Sequence, residues 1–403
     1  MTDARELARG ADIALNGNPG AGRYHALDNL RAVMMWLGIV FHVASLHLAW
    51  EVVRWRAPET TPLANLLAAF IHAFRMPVFF ILAGYFVLLL VQRRGVKGML
   101  THRLMRIGLP FLIFWPPLFI SIAALTTQFV GRMSDHVPPI TLAPPGERFD
   151  TLHLWFLYLL IWFTLLTVPA MVCIRRMGSR RRSYVQRMFE SLALMPCGAC
   201  LLALPLAALG SVYESGIVTP GGSFMPPLAE WLHNGAFFIF GTLLFVGSER
   251  LLPHFERNCW RYGVQGLAFF AAAMWLGWMS GRGRIPYAST FMAMTYNCAS
   301  WCLSFALIGG FRRYLFERHA WLEYVAKSSY WVYLVHMPVC LTIGLWLFDV
   351  PLPAVAKMTI NVLLTTAICM ATYELLVRGT MIGRLLNGPR QRHDAPRGGS
   401  EAS

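Results

Sequence analysis

The sequence predicts an all-α polytopic membrane protein of about ten transmembrane helices, with both termini cytoplasmic. Three observations carry this. Apolar residues make up 56% of the chain and charged residues only 14%, with a mean hydropathy of +0.50; a soluble domain carries about 25% charged residues. The ionisable residues cluster in short blocks between apolar runs long enough to cross a ~30 Å hydrocarbon core, where a barrel would show short alternating segments. Lys and Arg are distributed unequally between alternate connecting segments, as the positive-inside rule requires.

The runs fall at 29–50, 63–91, 104–130, 153–174, 190–212, 231–248, 262–280, 289–311, 329–348 and 355–377. An even number puts both termini on one side. With the N-terminus inside, the inner segments hold 27 Lys and Arg, the outer loops hold seven, and Arg75 lies inside a span. The net charge of +15 therefore reads as a topology signal and not as a nucleic-acid footprint. Membrane lipids are the expected contact of basic inner loops such as 175–187. Residues 1–28 form a polar cytoplasmic segment without the apolar core of a signal peptide, so the first span is expected to stay uncleaved. Residues 29–377 are the transmembrane domain. Residues 378–403, rich in Gly, Pro and Arg, are expected to be a disordered cytoplasmic tail. The outer loops at 134–150 and 214–230 are rich in Pro and Gly and too short to fold as domains. Any extracytoplasmic substrate must be handled by the bundle and these loops. The eight cysteines include Cys197-x-x-Cys200, which has no partner pair, so packing is expected and no metal site. No inverted repeat is visible.

In the first span, LDNLRAVMMWLGIVFHVASLHLAW, Arg31 and His42 are eleven residues apart. At about 100° per residue this puts both on one helical stripe, with a rise of about 16 Å, so His42 lies near mid-membrane. Two readings stand. Arg31 binds an anionic group such as a phosphate while His42 serves as a base, or Arg31 anchors the helix, paired with Asp28, and His42 is a satisfied buried polar group. In the second span, IHAFRMPVFFILAGYF places Arg75 about 18 Å below the outer boundary, at a depth similar to His42. His72 precedes it by one turn on the same face. An arginine there needs a partner or a water-filled cavity. In THRLMRIGLP, Arg103 and Arg106 share one face, which suits phosphate or carboxylate recognition and equally suits positive-inside anchoring. In SSYWVYLVHMPV, Tyr330, Tyr333 and His336 recur every third residue, and their polar tips are expected to face the bundle interior. HLWFL (153–157) opens the fourth span, where Trp155 reads as an interfacial aromatic. Glu374 has Arg378 at i+4 as its expected partner.

The ordered set of motifs resembles the acyltransferase-3 family of polytopic membrane acyltransferases. It comprises Arg31-x10-His42, FRMPVFFILAGYF, HRLMRIGLPF, HLWFL, FFIFGTLLF and SSYWVYLVHMPV, and covers nearly the whole chain. The likeness is greatest to the branch associated with succinylation of osmoregulated periplasmic glucans. The resemblance implies an O-acyltransferase of the bacterial inner membrane. It implies no bound cofactor, acyl-CoA (succinyl-CoA or acetyl-CoA) as the co-substrate, and a periplasmic glucan or another envelope carbohydrate as the acceptor. It implies Arg31 and His42 as catalytic residues and Arg103 and Arg106 as donor contacts; the mid-membrane depth of Arg75 adds it to the catalytic set, and the faces shared by His72, Tyr333 and His336 make these expected substrate contacts. Other readings are the same fold acting on another glycan such as O-antigen, a transporter or flippase for an anion, or a scaffold subunit.

Overall fold

The computed structural model describes residues 20–49, 55–133, 149–213, 215–280, 287–315, 317 and 320–387. Among them the chain is helical, and the sole extended pairing is an isolated antiparallel bridge between Asp150 and Ser223. The helices are α1 (Gly20–Ser45), α2 (Pro62–Arg103), α3 (Leu109–Met133), α4 (Trp155–Arg176), α5 (Ser179–Leu194), α6 (Gly198–Gly210) and α7 (Leu228–Val246). They continue with α8 (Ser248–Arg257), α9 (Cys259–Ser280), α10 (Ala288–Tyr314), α11 (Ala320–Trp346), α12 (Ala354–Thr372) and α13 (Met381–Asn387). The expected loop at 134–148, most of the segment 1–28 and the tail from 388 lie outside the described residues.

The bundle is organised around α2. Thr61 caps its start, its hydroxyl accepting from the Leu63 amide at 3.4 Å, and Pro62 occupies the first turn, where a missing N–H costs nothing. Every residue from Ala73 to Tyr85 is buried, the pattern of a helix enclosed on all sides. Backbone contact with α7 makes this possible. A Cβ on Gly84 would fall 2.0 Å from the Phe238 carbonyl oxygen, and one on Gly241 would fall 1.9 Å from that of Ile81. Small residues permit such an approach, and packing replaces the hydrophobic drive that lipid does not supply. Helix α1 packs against both α2 and α11, which brings His42 toward Arg75 and His336. At its far end α2 kinks at Gly95, whose φ of 69° suits glycine, and then runs through a π-helical turn (Leu104–Gly108) into α3. The outer face of the bundle is apolar: Leu112, Ile120, Leu363 and Leu375 are each more than 60% exposed. Such a surface belongs in lipid.

Among the described residues, seven helices are long and apolar enough to cross a membrane, or eight when the bent pair α5 and α6 is taken as one span. The sequence expectation of ten differs for identifiable reasons. The runs 63–91 and 104–130 join into one helical stretch of 72 residues, because the π-helical turn replaces a loop. The run 190–212 is broken by a bend of 103° between α5 and α6. The run 262–280 lies in α9, a 22-residue helix that is not among the seven.

The end of the bundle that the charge count assigns to the outside is closed by side-chain clamps. His47, just beyond α1, has Nδ1 2.7 Å from the Glu59 carbonyl oxygen, and burial holds its imidazole below the ordinary value. Lys357, counted from sequence among the outer-loop cations, is instead 1% exposed and pairs with Glu59 at 2.6 Å. The Thr151 hydroxyl donates to the Gly222 carbonyl at 2.7 Å, and Tyr158 donates to Phe224 at 2.7 Å. The Gly221 amide donates to Glu230 at 2.9 Å. These bonds hold residues 217–224 over the start of α4 and shape the rim of a cavity.

Candidate functional site

That cavity has a volume of about 880 Å³, within the range of pockets that enclose a small ligand. Its rim carries Trp55, Asp150, Thr219 to Gly222, Trp278 and Ser289; its depth carries His42, His72, Arg75, His153, Phe156 and Tyr333. The walls combine aromatic rings with hydroxyl, amide and imidazole groups, a surface suited to a ligand with both apolar faces and hydroxyls.

Among the described lining residues Arg75 is the only Arg or Lys. It is 6% exposed. Its Nε donates to the Met34 carbonyl at 3.2 Å, and its guanidinium carbon stands 5.6 Å from the centre of Phe41 and 5.9 Å from that of Phe79. Aromatic faces and one carbonyl hold the guanidinium in place, but they do not neutralise it. No carboxylate pairs with it among the described residues. The close fit depends on Gly38, one turn before His42. A Cβ there would lie 2.8 Å from Arg75 Nη2 and 3.5 Å from His336 Nε2.

Three imidazoles cluster beside this cation. The ring centres of His42 and His336 are 5.1 Å apart, those of His153 and His336 are 5.3 Å apart, and those of His42 and His153 are 6.3 Å apart. His42 is half-buried and faces the cavity. His336 is fully buried behind it and does not line the wall. Its Nδ1 lies 2.9 Å from the Val332 carbonyl oxygen and 2.8 Å from that of Tyr333. His153 has Nε2 3.2 Å from the Leu334 carbonyl and receives the Tyr333 hydroxyl on its own carbonyl at 2.9 Å. His72 stacks on Phe41 with ring centres 6.0 Å apart and lines the same cavity.

The structure thus gathers His42, Arg75, His72, Tyr333 and His336 around one site. Arg31, Arg103 and Arg106 lie elsewhere, toward the opposite end of the bundle. Arg31 bridges Asp28 at 3.1 Å and stands over Phe86 at 5.8 Å. Arg103 donates to the Ala83 carbonyl at 3.3 Å, while Arg106 donates to Leu386 on α13 at 2.7 Å. The two were expected on one helical face. A π-helical turn begins between them, and each meets a different neighbour. Glu374 and Arg378 pair at 2.9 Å as expected.

Two members of the site were not singled out from sequence. His153 lies in HLWFL, where attention went to Trp155; an ionisable group opening an apolar run is the signal that pointed to it. Gly38 precedes His42 by four residues and so shares its face. Trp155, read as an interfacial aromatic, lines the cavity.

A model of the acyltransferase domain that defines the acyltransferase-3 family matches residues 24–374, which include every residue of the site. The glucans biosynthesis protein C of Salmonella agona and that of Salmonella paratyphi A are each 28% identical to this chain over 383 residues, covering 91% of it and 95% of the relative. The protein of the same name from Salmonella paratyphi B is 27% identical over 390 residues, with the same coverage. No solved structure matches. An apolar-surfaced helical bundle matched by this domain over most of its length is a membrane acyltransferase, and the chain belongs to the acyltransferase-3 family.

Proposed function

We propose that this protein is an inner-membrane O-acyltransferase that moves a succinyl group from cytoplasmic succinyl-CoA to hydroxyls of a periplasmic glucan. One observation carries the reading: a half-buried histidine and an unneutralised arginine share the floor of a cavity wide enough for sugar residues. The names of the Salmonella relatives supply the glucan.

In this reading acyl-CoA docks its phosphates among Arg31, Arg103 and Arg106, and the thioester reaches His42 through the bundle. The acceptor hydroxyl enters from the rim. His42 takes the hydroxyl proton as the oxygen attacks the thioester carbonyl, and Arg75 faces the oxyanion that forms. Collapse of the tetrahedral intermediate breaks the carbon–sulfur bond, and the departing thiolate takes the proton back from His42. His72 and Tyr333 line the space this acceptor would occupy. Arg75 also offsets the free carboxylate of a succinyl group, whose burial without a partner would be costly.

Radiolabelled succinyl-CoA presented to the purified protein and glucan tests this. Label is expected on the glucan and is lost in His42→Ala. Label that stays off the glucan while anion crosses a vesicle membrane would make the protein a transporter. For the carboxylate role, Arg75→Ala should lower transfer from succinyl-CoA more than transfer from acetyl-CoA. Equal loss with both donors refutes that role.

A further inference from the structure

The three imidazoles do not have equivalent hydrogen-bonding needs. His336 Nδ1 lies against two backbone carbonyls, which can only accept, so that nitrogen carries the proton. The ring is 0% exposed and stands beside a guanidinium, so it holds one proton and Nε2 is a lone pair. Nε2 has no hydrogen-bond partner. In the same way His153 Nε2 donates to the Leu334 carbonyl, and its Nδ1 is left as a buried lone pair without a partner. Two acceptors cannot satisfy each other, so the 5.3 Å approach of His153 and His336 is not a hydrogen bond. Of the three rings, His42 alone has a proton to give.

The separations say where it goes. Two imidazoles joined N–H···N, with each nitrogen about 1.15 Å from its ring centre and about 2.9 Å between nitrogens, have centres about 5.2 Å apart. His42 and His336 stand at 5.1 Å, whereas His42 and His153 at 6.3 Å are too far apart. A buried acceptor left without a donor costs about 1–3 kcal/mol, which favours the rotation of His42 that supplies one.

We propose that His336 is the positioning residue for His42. Its Nε2 accepts the imidazole N–H of His42, fixing the tautomer in which the other His42 nitrogen presents its lone pair to the cavity. The inference rests on the reading of His42 as the base. It adds a partner that selects which nitrogen works and that stabilises the imidazolium formed when the acceptor hydroxyl gives up its proton. An orienting carboxylate does this in a Ser-His-Asp triad. A neutral acceptor suits this site, where a carboxylate would neutralise Arg75.

The groups facing His42 are Arg75 and His72 from α2, His153 from the turn before α4, and Tyr333 and His336 from α11. The test varies His336, alone and with His42→Ala, and reads kcat/KM against pH in the full-length protein. His336→Leu removes the acceptor and is expected to lower kcat/KM about 10- to 100-fold, the usual effect of losing an orienting partner. It should also move the acid limb of the profile to lower pH. His336→Gln, whose side-chain oxygen reaches the place of Nε2, should recover most of the activity and the original limb. Combined with His42→Ala, His336→Leu should add nothing further, because the two act as one unit. A His336→Leu protein with an unmoved pH profile overturns the proposal, whether its activity is normal or reduced, since a packing role or a hold on Arg75 would lower the rate without moving the limb. So does a double variant worse than His42→Ala. Full activity in His42→Ala alone would instead remove the underlying reading.

Discussion

Gly38→Ala separates the geometry of the site from the stability of the fold. Replacing a mid-helix glycine with alanine normally stabilises by about 1 kcal/mol, so a lesion here is not expected to come from unfolding. The new Cβ would lie 2.8 Å from Arg75 Nη2, and ordinary contact begins at 3.4 Å, so the guanidinium must retreat by about 0.6 Å. Its escape is restricted, because Nε is held by the Met34 carbonyl and the plane is flanked by Phe41 and Phe79. Misplacing a reacting group by about 1 Å can cost 100-fold, so roughly a 10-fold loss of turnover is expected for alanine. Valine, whose branches also press toward His336 Nε2, should lose more. The assay is acyl transfer from labelled acyl-CoA by protein in lipid, with a melting curve taken alongside. A Gly38→Val protein that melts as the wild type and transfers at the wild-type rate would refute the claim that Arg75 must sit where it does.

Two further outcomes follow from the packing. At the Glu59–Lys357 pair, Glu59→Ala strands a lysine that is 1% exposed, whereas Lys357→Met leaves a carboxylate that is 35% exposed and can reach water. Glu59→Ala should therefore destabilise by about 3 kcal/mol and Lys357→Met by clearly less; equal melting temperatures for the two variants would contradict the burial asymmetry. Gly241→Val sets a side chain 1.9 Å from the backbone oxygen of Ile81, which cannot step aside. Forcing α2 and α7 apart is expected to cost about 3 kcal/mol or more, read as lost monodispersity or a lower melting temperature, and a wild-type melting curve would show that the contact is not needed.

Much of this was legible because lipid makes charge expensive. Arg75 and His42 stood out in apolar runs for that reason, and their similar depth on α2 and α1 is enough to bring them together once those helices pack. His153 was harder to see, since its role depends on the Leu334 carbonyl and the Tyr333 hydroxyl, both about 180 residues away. No local pattern records such a contact. Gly38 was invisible for a related reason: its value is the space left for Arg75, and an absent side chain reads the same wherever it occurs. Arg103 and Arg106 donate to different carbonyls, a detail that regular helix spacing does not foretell, because it does not hold through a π-helical turn. The same turn joins the runs 63–91 and 104–130, which the sequence separates into two spans, because the helix continues where a loop was expected.

The fold contains its own comparison for what Arg75 does. Lys357 is a buried cation with an evident structural task, and the chain treats it as electrostatics demands: Glu59 at 2.6 Å, with the Phe348 carbonyl at 2.9 Å. Arg75 is also buried, yet its described neighbours are a carbonyl, two phenyl faces and imidazoles. Placing a carboxylate beside it would have been the cheaper way to hold a helix contact. A buried cation with no carboxylate partner among the described residues favours a group that brings negative charge to it. The carboxylate nearest in the cavity wall is Asp150, at the rim rather than the floor. The wall thus carries Arg75 deep and Asp150 at the mouth, the polarity that the proposed reaction needs: an anionic acyl group held inward beside His42, with the rim left to a neutral acceptor.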